Sequence, residues 1–105
     1  MTGPNRGDVW LVDLGFAGKV RPCVVLSIPS LDQDRALVTV IPHTTSVRGS
    51  RFEVEIAKQF LDEGAFDAQN PVTLPHVRLI RRLGALSPDE LARIEDAVKF
   101  WPDLS

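Results

Sequence analysis

The fold is decided by residues 8–26, which read DVWLVDLGFAGKVRPCVVL. Residues 8–14 and 20–26 are rich in β-branched and aromatic side chains, and a glycine-containing connection of residues 15–19 separates them. Two such runs joined by a short connection predict a β-hairpin. Proline has no N–H to donate to a ladder, so Pro22 is expected at the beginning of its strand or at a bulge, with Arg21 beside the loop.

Two further strands are predicted on the C-terminal side of this hairpin. A third apolar run covers residues 36–41 and ends at Pro42, and a polar loop follows over residues 43–50. Residues 52–56 alternate between apolar and acidic side chains, which is typical of a strand with one face in water.

The next part of the chain has weaker patterns. Residues 57–70 indicate no more than a short helical turn, at residues 58–61. Residues 72–74 and 77–80 are typical of short strands, and Pro75 interrupts them.

The clearest local signal is the start of a helix near the C-terminus. Ser87 fits the N-cap position, Pro88 the first helical position, and Glu90 the position three residues after the cap. Apolar residues then recur at helical spacing before Pro102 ends the pattern. They are Leu91, Ile94, Val98 and Trp101. Five or six short strands with one terminal helix, and no helix between them long enough for a crossover, predict an α+β fold that is mainly β, a small antiparallel barrel.

The composition fits one soluble domain. The 105 residues are 44% apolar and 25% charged, close to the averages of globular proteins. No apolar run approaches the roughly 18 residues of a membrane span, and residues 1–7 lack the apolar stretch of a signal peptide, so a cytoplasmic protein with no membrane association is expected. The single Cys23 lies in an apolar run, and we expect it to be buried.

The charge distribution leaves room for a nucleic-acid ligand. The net charge of -2 argues mildly against one. However, residues 87–105 contain five acidic and two basic side chains, so the remaining 86 residues hold ten basic and nine acidic ones. A locally basic face can therefore exist outside the C-terminal helix.

Polar side chains gather in the predicted loops beside the strands. The chain has no phosphate-binding glycine loop, no paired-cysteine zinc pattern and no HExxH motif, so neither a metal nor another cofactor is expected. Rigid scaffolds commonly present functional groups on such loops. The polar groups are Arg21, His43, Thr44, Thr45, Ser46, Arg48 and Arg51.

Four segments resemble the MazF/PemK toxin family in order and approximate spacing. They are GDVWLVD at residues 7–13, VRPCVVLS at 20–27, IPHTT at 41–45 and RFEV at 51–54. The resemblance extends over about residues 6–101 and includes LGALSPDEL at residues 83–91, at the start of the last helix. It implies an SH3-like barrel with a C-terminal helix, a homodimer, metal-independent cleavage of single-stranded RNA, and a cognate antitoxin protein that occupies the RNA groove.

Matched residue by residue, the resemblance assigns catalysis to Arg21 and Thr44. In this kind of cleavage the 2′-hydroxyl of RNA attacks the adjacent phosphorus, which leaves a 2′,3′-cyclic phosphate and a 5′-hydroxyl. A guanidinium stays protonated and presents a planar fork of donors to phosphate oxygens, and a threonine hydroxyl can donate one more hydrogen bond. Contacts to RNA are expected from His43, Thr45, Ser46, Arg48, Arg51, His76 and Arg78.

The sequence departs from the family pattern in two places. Residues 15–19 replace a longer loop that carries a functional glutamate in many members, so either Arg21 and Thr44 suffice or His43 substitutes as an acid/base group. Residues 74–78 stand where many members have an Asp-Gln pair, so base recognition is expected to differ. Two alternatives remain open: a non-enzymatic poison like the gyrase-binding CcdB relatives, and an SH3-like interaction module.

Overall fold

The computed structural model describes residues 3–15, 19–29, 31 and 34–100. Within them the strands are β1 (Asp8–Asp13), β2 (Val20–Val25), β3 (Leu37–Thr44), β4 (Glu53–Val54), β5 (Ala65–Asp67), β6 (Val72–Pro75) and β7 (Leu79–Ala85). A 3-10 turn, His76–Arg78, precedes β7, and helix α1 (Pro88–Phe100) follows it. No helix in this part of the chain is long and apolar enough to cross a membrane.

The strands form one antiparallel sheet in the order β4-β5-β3-β2-β1-β7, with β6 also paired to β3. The predicted α+β class, mainly β with a C-terminal helix, is therefore confirmed. The barrel is an open one, because β4 and β7 are edge strands among the described residues and do not pair with each other.

The predicted hairpin is confirmed as β1 and β2. Trp10 lies opposite Cys23 and Leu11 lies opposite Pro22. Pro22 is the third residue of β2, and pairing of β2 with β3 begins only after it, at Cys23. Arg21 therefore lies within a strand and is half-buried, whereas the sequence placed it beside the loop. Residues 16–18 of the connection lie outside the described residues.

Strand β3 is longer than predicted and lies at the centre of the sheet. Pro42 was expected to end it, and that prediction is wrong, because β3 continues through His43 and Thr44. The strand pairs with β6 over Leu37 to Val40 and with β5 over His43 and Thr44. Pro42 stands where β3 changes partner, a position at which a missing N–H costs least.

The weakly patterned part of the chain contains β5, which was not predicted. The residues expected to form a helical turn at 58–61 form a turn in which the N–H of Leu61 donates to the carbonyl of Lys58 at 3.1 Å. The strands predicted at 72–74 and 77–80 are β6 and β7, but β7 starts at Leu79 because the 3-10 turn occupies residues 76–78.

The two faces of the sheet bury separate cores. Val9, Val24, Ile41 and Phe66 lie in the core that receives Ile94 of α1, and Cys23 lies in the other core with Val12, Val25, Val38, Val40 and Leu74. The predicted burial of Cys23 is confirmed.

The predicted start of α1 is confirmed as a capping box. The N–H of Glu90 donates to Ser87 Oγ at 3.2 Å, and the N–H of Ser87 donates to Glu90 Oε1 at 2.8 Å. Ile94 is fully buried and Leu91 is half-buried, as the helical spacing predicts. Trp101 and Pro102, predicted at the end of the helix, lie outside the described residues.

Candidate active site

The register of β2 and β3 brings the two predicted catalytic residues together. Val24 pairs with Ile41 and Cys23 pairs with Pro42. Continued by two residues, this register sets Arg21 opposite Thr44. Side chains opposite each other on antiparallel strands have Cβ atoms about 4.5–5.5 Å apart. Arg21 and Thr44 accordingly line the same cavity, of about 400 Å³.

This cavity, here called the Thr44 cavity, is polar and combines both signs of charge. Its lining residues are Arg21, Thr44, Ser46, Arg48, Ser50, Glu53, Asp67 and Gln69. Two guanidinium groups suit phosphate oxygens, and the hydroxyl, amide and carboxylate groups suit ribose and base edges. The predicted RNA-binding residues Ser46 and Arg48 are thus beside Arg21 and Thr44.

The Thr44 hydroxyl is oriented by its own turn. The backbone N–H of Ser46 donates to Thr44 Oγ1 at 3.0 Å. This is the local hydrogen bond of an ordinary turn residue. Because it uses the hydroxyl oxygen as an acceptor, the hydroxyl proton remains available to a group that enters the cavity.

Glu53 organises the loop that carries Arg48. Its carboxylate accepts hydrogen bonds from the backbone N–H of Arg48, at 3.0 and 3.1 Å, and from that of Ser50, at 2.8 Å. These N–H groups lower the pKa of Glu53 below its ordinary value. An ionised Glu53 therefore holds the loop in place beside Thr44.

A second carboxylate faces Glu53 across the β4–β5 ladder. Glu53 and Asp67 are register partners. Like charges placed directly opposite on neighbouring strands destabilise a sheet. Asp67 Oδ1 accepts from the N–H of Gln69 at 3.1 Å, and both residues line the Thr44 cavity. Two facing carboxylates lower the stability of the sheet, which favours a functional role for Glu53 and Asp67.

A second cavity lies on the other face of the same strand ends. Alternate residues of a strand point to opposite faces, so His43 faces away from Thr44. This second cavity, here called the His43 cavity, has a volume of about 280 Å³. Its lining residues are Lys19, Val20, Arg21, Pro22, His43, Thr45 and Asp62. Arg21 borders both cavities.

The His43 ring is buried and closely packed. It is 3% exposed and meets the Phe66 ring edge-on, with centroids 5.1 Å apart. A β-carbon at Gly64 would lie 2.8 Å from His43 Cε1 and closer still to the carbonyl oxygen of Thr44, so only glycine permits this approach. Burial lowers the pKa of His43, although the charge of Asp62 partly raises it, so the ring is neutral at pH 7.

The other predicted RNA-binding residues line neither cavity. Arg51 stacks its guanidinium 4.8 Å from the centroid of the Phe52 ring. His76 Nε2 is 3.2 Å from the carbonyl oxygen of Leu37, at the end of β3 opposite to Thr44. Arg78 forms an ion pair with Asp13 at 3.5 Å, beside β1. A role for these three in RNA binding stays a prediction.

Six polar lining residues were not predicted from the sequence. They are Lys19, Ser50, Glu53, Asp62, Asp67 and Gln69. The alternation of residues 52–56 does place Glu53 on the face away from the Phe52 side chain, but only the pairing of β4 with β5 and of β5 with β3 turns that face toward Arg21. No group of three or more potential metal-ligating side chains occurs in the described part of the chain.

Comparisons with known proteins point to one family. The sequence model of one family, the PemK-like, MazF-like toxins of type II toxin–antitoxin systems, matches residues 5–101. The endoribonuclease MazF9 of Mycobacterium tuberculosis is 28% identical over an alignment of 114 positions, which covers 95% of this chain and 97% of that protein.

Solved structures of similar proteins have the same fold over nearly the whole chain. A mycobacterial endoribonuclease in complex with its cognate antitoxin is 27% identical, with a TM-score of 0.84 and 98% of each chain covered. A MazE–MazF complex from Deinococcus radiodurans is 26% identical, with a TM-score of 0.78 and 100% of each chain covered.

Proposed function

The chain belongs to the PemK-like, MazF-like toxins of type II toxin–antitoxin systems, and on that premise we propose that it is a metal-independent endoribonuclease that cleaves single-stranded RNA. The observation that carries the proposal is that Arg21, near the start of β2, and Thr44, at the end of β3, line one polar cavity. An unpaired strand exposes both its phosphates and its base edges to such a cavity.

In the proposed reaction the RNA supplies its own nucleophile. The 2′-oxygen bonds to the adjacent phosphorus, and the bond from phosphorus to the 5′-oxygen of the next nucleotide breaks. The leaving 5′-oxygen takes a proton from water, so the products are a 2′,3′-cyclic phosphate and a 5′-hydroxyl. Arg21 donates to the non-bridging oxygens, where negative charge accumulates, and Thr44 donates through the hydroxyl proton that its turn leaves available.

The proposed general base is Asp67. The short connection of residues 15–19 lacks the acidic group that many family members carry there. The Thr44 cavity has two carboxylates from other strands, but that of Glu53 is engaged by the N–H groups of Arg48 and Ser50. Both oxygens of Glu53 accept hydrogen bonds from the loop, whereas Asp67 accepts one, from Gln69 to Oδ1, so Asp67 Oδ2 is the carboxylate oxygen suited to take the proton of the 2′-hydroxyl. His43, on the opposite face, is assigned to RNA binding.

The test is cleavage of a long RNA of mixed sequence in EDTA, with the product ends mapped. Arg21→Ala should lower the rate about 100- to 1000-fold, because a preorganised donor to the developing oxyanion is lost. Thr44→Ala should lower it about tenfold or more, since one hydrogen bond to a charged group is lost. Arg35→Ala, an exposed residue outside both cavities, is the matched control.

Two outcomes would overturn the proposal. One is intact RNA after hours with micromolar wild-type protein. The other is undiminished cleavage by both Arg21→Ala and Thr44→Ala. Either result would favour the gyrase-binding poison or the interaction module over the ribonuclease.

The proposed partners are RNA in the cytoplasm, a cognate antitoxin and a second copy of the chain. Support for an antitoxin comes from two similar proteins solved with one, the mycobacterial endoribonuclease in complex with its cognate antitoxin and the MazE–MazF complex from Deinococcus radiodurans. Sedimentation equilibrium of the isolated chain tests the homodimer, since a monomer at micromolar concentration would exclude it.

A further inference from the structure

The His43 cavity contains a group that stability alone does not explain. Nε2 of His43 is buried and has no hydrogen-bond partner among the described residues. Buried side-chain nitrogens without a partner are rare, and each costs about 1–3 kcal/mol. The ring is nevertheless fixed there by Phe66 and by the close approach of Gly64. A fixed, neutral imidazole with an unused nitrogen therefore forms part of the cavity wall.

The rest of the cavity suits one nucleobase. Its volume of about 280 Å³ lies just below the range of about 300–1,000 Å³ that holds drug-sized ligands. Val20 and Pro22 supply apolar surface, and the exposed Thr45 and Asp62 supply polar groups at its rim. The Asp62 carboxylate makes no hydrogen bond or ion pair with another described side chain, so it is free to accept hydrogen bonds from a ligand.

The position of the His43 cavity indicates that its ligand is a base next to the phosphate that is cleaved. Arg21 borders both the Thr44 cavity and the His43 cavity. A phosphate bound by Arg21 for cleavage therefore has an entrance to each cavity beside it. The nucleotide on one side of that phosphate can place its base in the Thr44 cavity, and its neighbour can place its base in the His43 cavity.

We propose, on the basis of the ribonuclease function proposed above, that the His43 cavity binds the base next to the scissile phosphate and that Asp62 selects there for a base with an exocyclic amino group. A carboxylate is an acceptor only, so it pairs with the amino groups of cytosine, adenine and guanine. Uracil presents carbonyl oxygens on both sides of its single N–H, and these oxygens repel the carboxylate. His43 is a positioning residue that forms the inner wall.

The experiment compares cut sites in an RNA library with random sequence. Wild type should cut where one nucleotide flanking the scissile bond carries an amino-bearing base. Asp62→Asn should accept uracil there and lose about tenfold or more of the discrimination, because an amide also offers a donor. Glu63→Gln, one residue further along the same exposed turn, removes the same charge and should keep the wild-type preference.

Binding of single nucleotides tests the base subsite independently of whether the protein cleaves RNA. His43 and His76 are the only histidines, so the NMR signals of their ring protons are readily assigned with a His76→Gln variant. Cytidine monophosphate should shift the His43 signals at concentrations where uridine monophosphate does not, even if the protein cuts no RNA. Discrimination that is unchanged in Asp62→Asn would overturn the subsite, as would His43 signals that respond to neither nucleotide.

Discussion

His43 is a residue in which burial and charge act in opposite directions. Burial and the charge of Arg21 lower its pKa, and the charge of Asp62 raises it, with burial the largest effect. The folded chain therefore binds a proton less readily than the unfolded chain, whose histidines titrate near pH 6.5. At pH values below about 6.5 the unfolded state gains the proton first, and the free energy of unfolding should fall as the pH is lowered.

Urea unfolding between pH 7.5 and pH 5.5 measures this effect. His43→Gln should show a smaller loss of stability over that range than wild type, because His76 and all other titratable groups are common to both. Asp62→Asn should show a larger loss, since the charge that raises the pKa of His43 is gone. Equal pH dependence in wild type and His43→Gln would contradict the assignment of the effect to His43.

Cys23 provides a test of the core rather than of the site. It is fully buried, and burial raises the pKa of its thiol to about 12. Thiolate is the reactive form, so a native protein near pH 8 should react with iodoacetamide far more slowly than the same protein in urea. The measurement is incorporation of label by mass spectrometry, and labelling of the native chain at the rate of the unfolded chain would show that this core opens.

At the scale of elements, the end of β3 depends on a close approach by the residue that precedes β5. A β-carbon at Gly64 would meet His43 Cε1 and the backbone of Thr44. Gly64→Ala should therefore push β5 away from Thr44, with a loss of about 1–3 kcal/mol in the free energy of unfolding and a loss of RNA cleavage.

Gly84→Ala is the matched control for this prediction. Gly84 lies in β7, which pairs with β1, and its β-carbon would press on the ring of Phe60. Both variants overpack the chain, so both should lower the melting temperature. Only Gly64→Ala should also lower cleavage below the level that the unfolded fraction explains. Equal specific activity of the two folded variants would show that Thr44 tolerates displacement of β5.

The elements that the sequence predicted well are those with local signals. The hairpin of β1 and β2 follows from two strand-like runs and a short connection, and the start of α1 follows from Ser87 and Glu90. Strand β5 has three residues and no alternation long enough to detect, and it exists because β3 and β4 pair with it. The prediction that the third strand ends at Pro42 was wrong for a related reason, because the place of Pro42 within β3 depends on pairing with two other strands.

The residues of the candidate site also divide into those that a sequence motif predicts and those that only the assembled sheet brings to the site. Arg21 and Thr44 were predicted through the family motifs, and the family is confirmed by the match over residues 5–101. Glu53 and Asp67 meet only through the β4–β5 ladder, and Asp62 reaches the His43 cavity from a turn far along the chain. Neither spacing nor composition could place these carboxylates beside Arg21, since their position is a property of the assembled sheet.

At the scale of the whole molecule, a chain with a net charge of -2 can bind RNA only through a limited basic surface. Several arginines are engaged elsewhere: Arg6 with Glu95, Arg78 with Asp13, and Arg82 with Asp8. The basic residues that line the Thr44 and His43 cavities are Lys19, Arg21 and Arg48. We therefore expect about three phosphate contacts for each chain.

The salt dependence of RNA binding tests this small footprint. For single strands, the logarithm of the association constant changes with the logarithm of salt concentration by about -0.7 for each phosphate contact, so the expected slope is about -2. A 2′-O-methyl RNA, which cannot be cleaved, allows the slope to be measured by fluorescence anisotropy. Arg48→Ala should make the slope shallower by about 0.7, and Arg35→Ala should leave it unchanged. A slope steeper than about -4 would contradict the small footprint, because Arg51, Arg78 and the arginines of β7 would then have to contact phosphates as well.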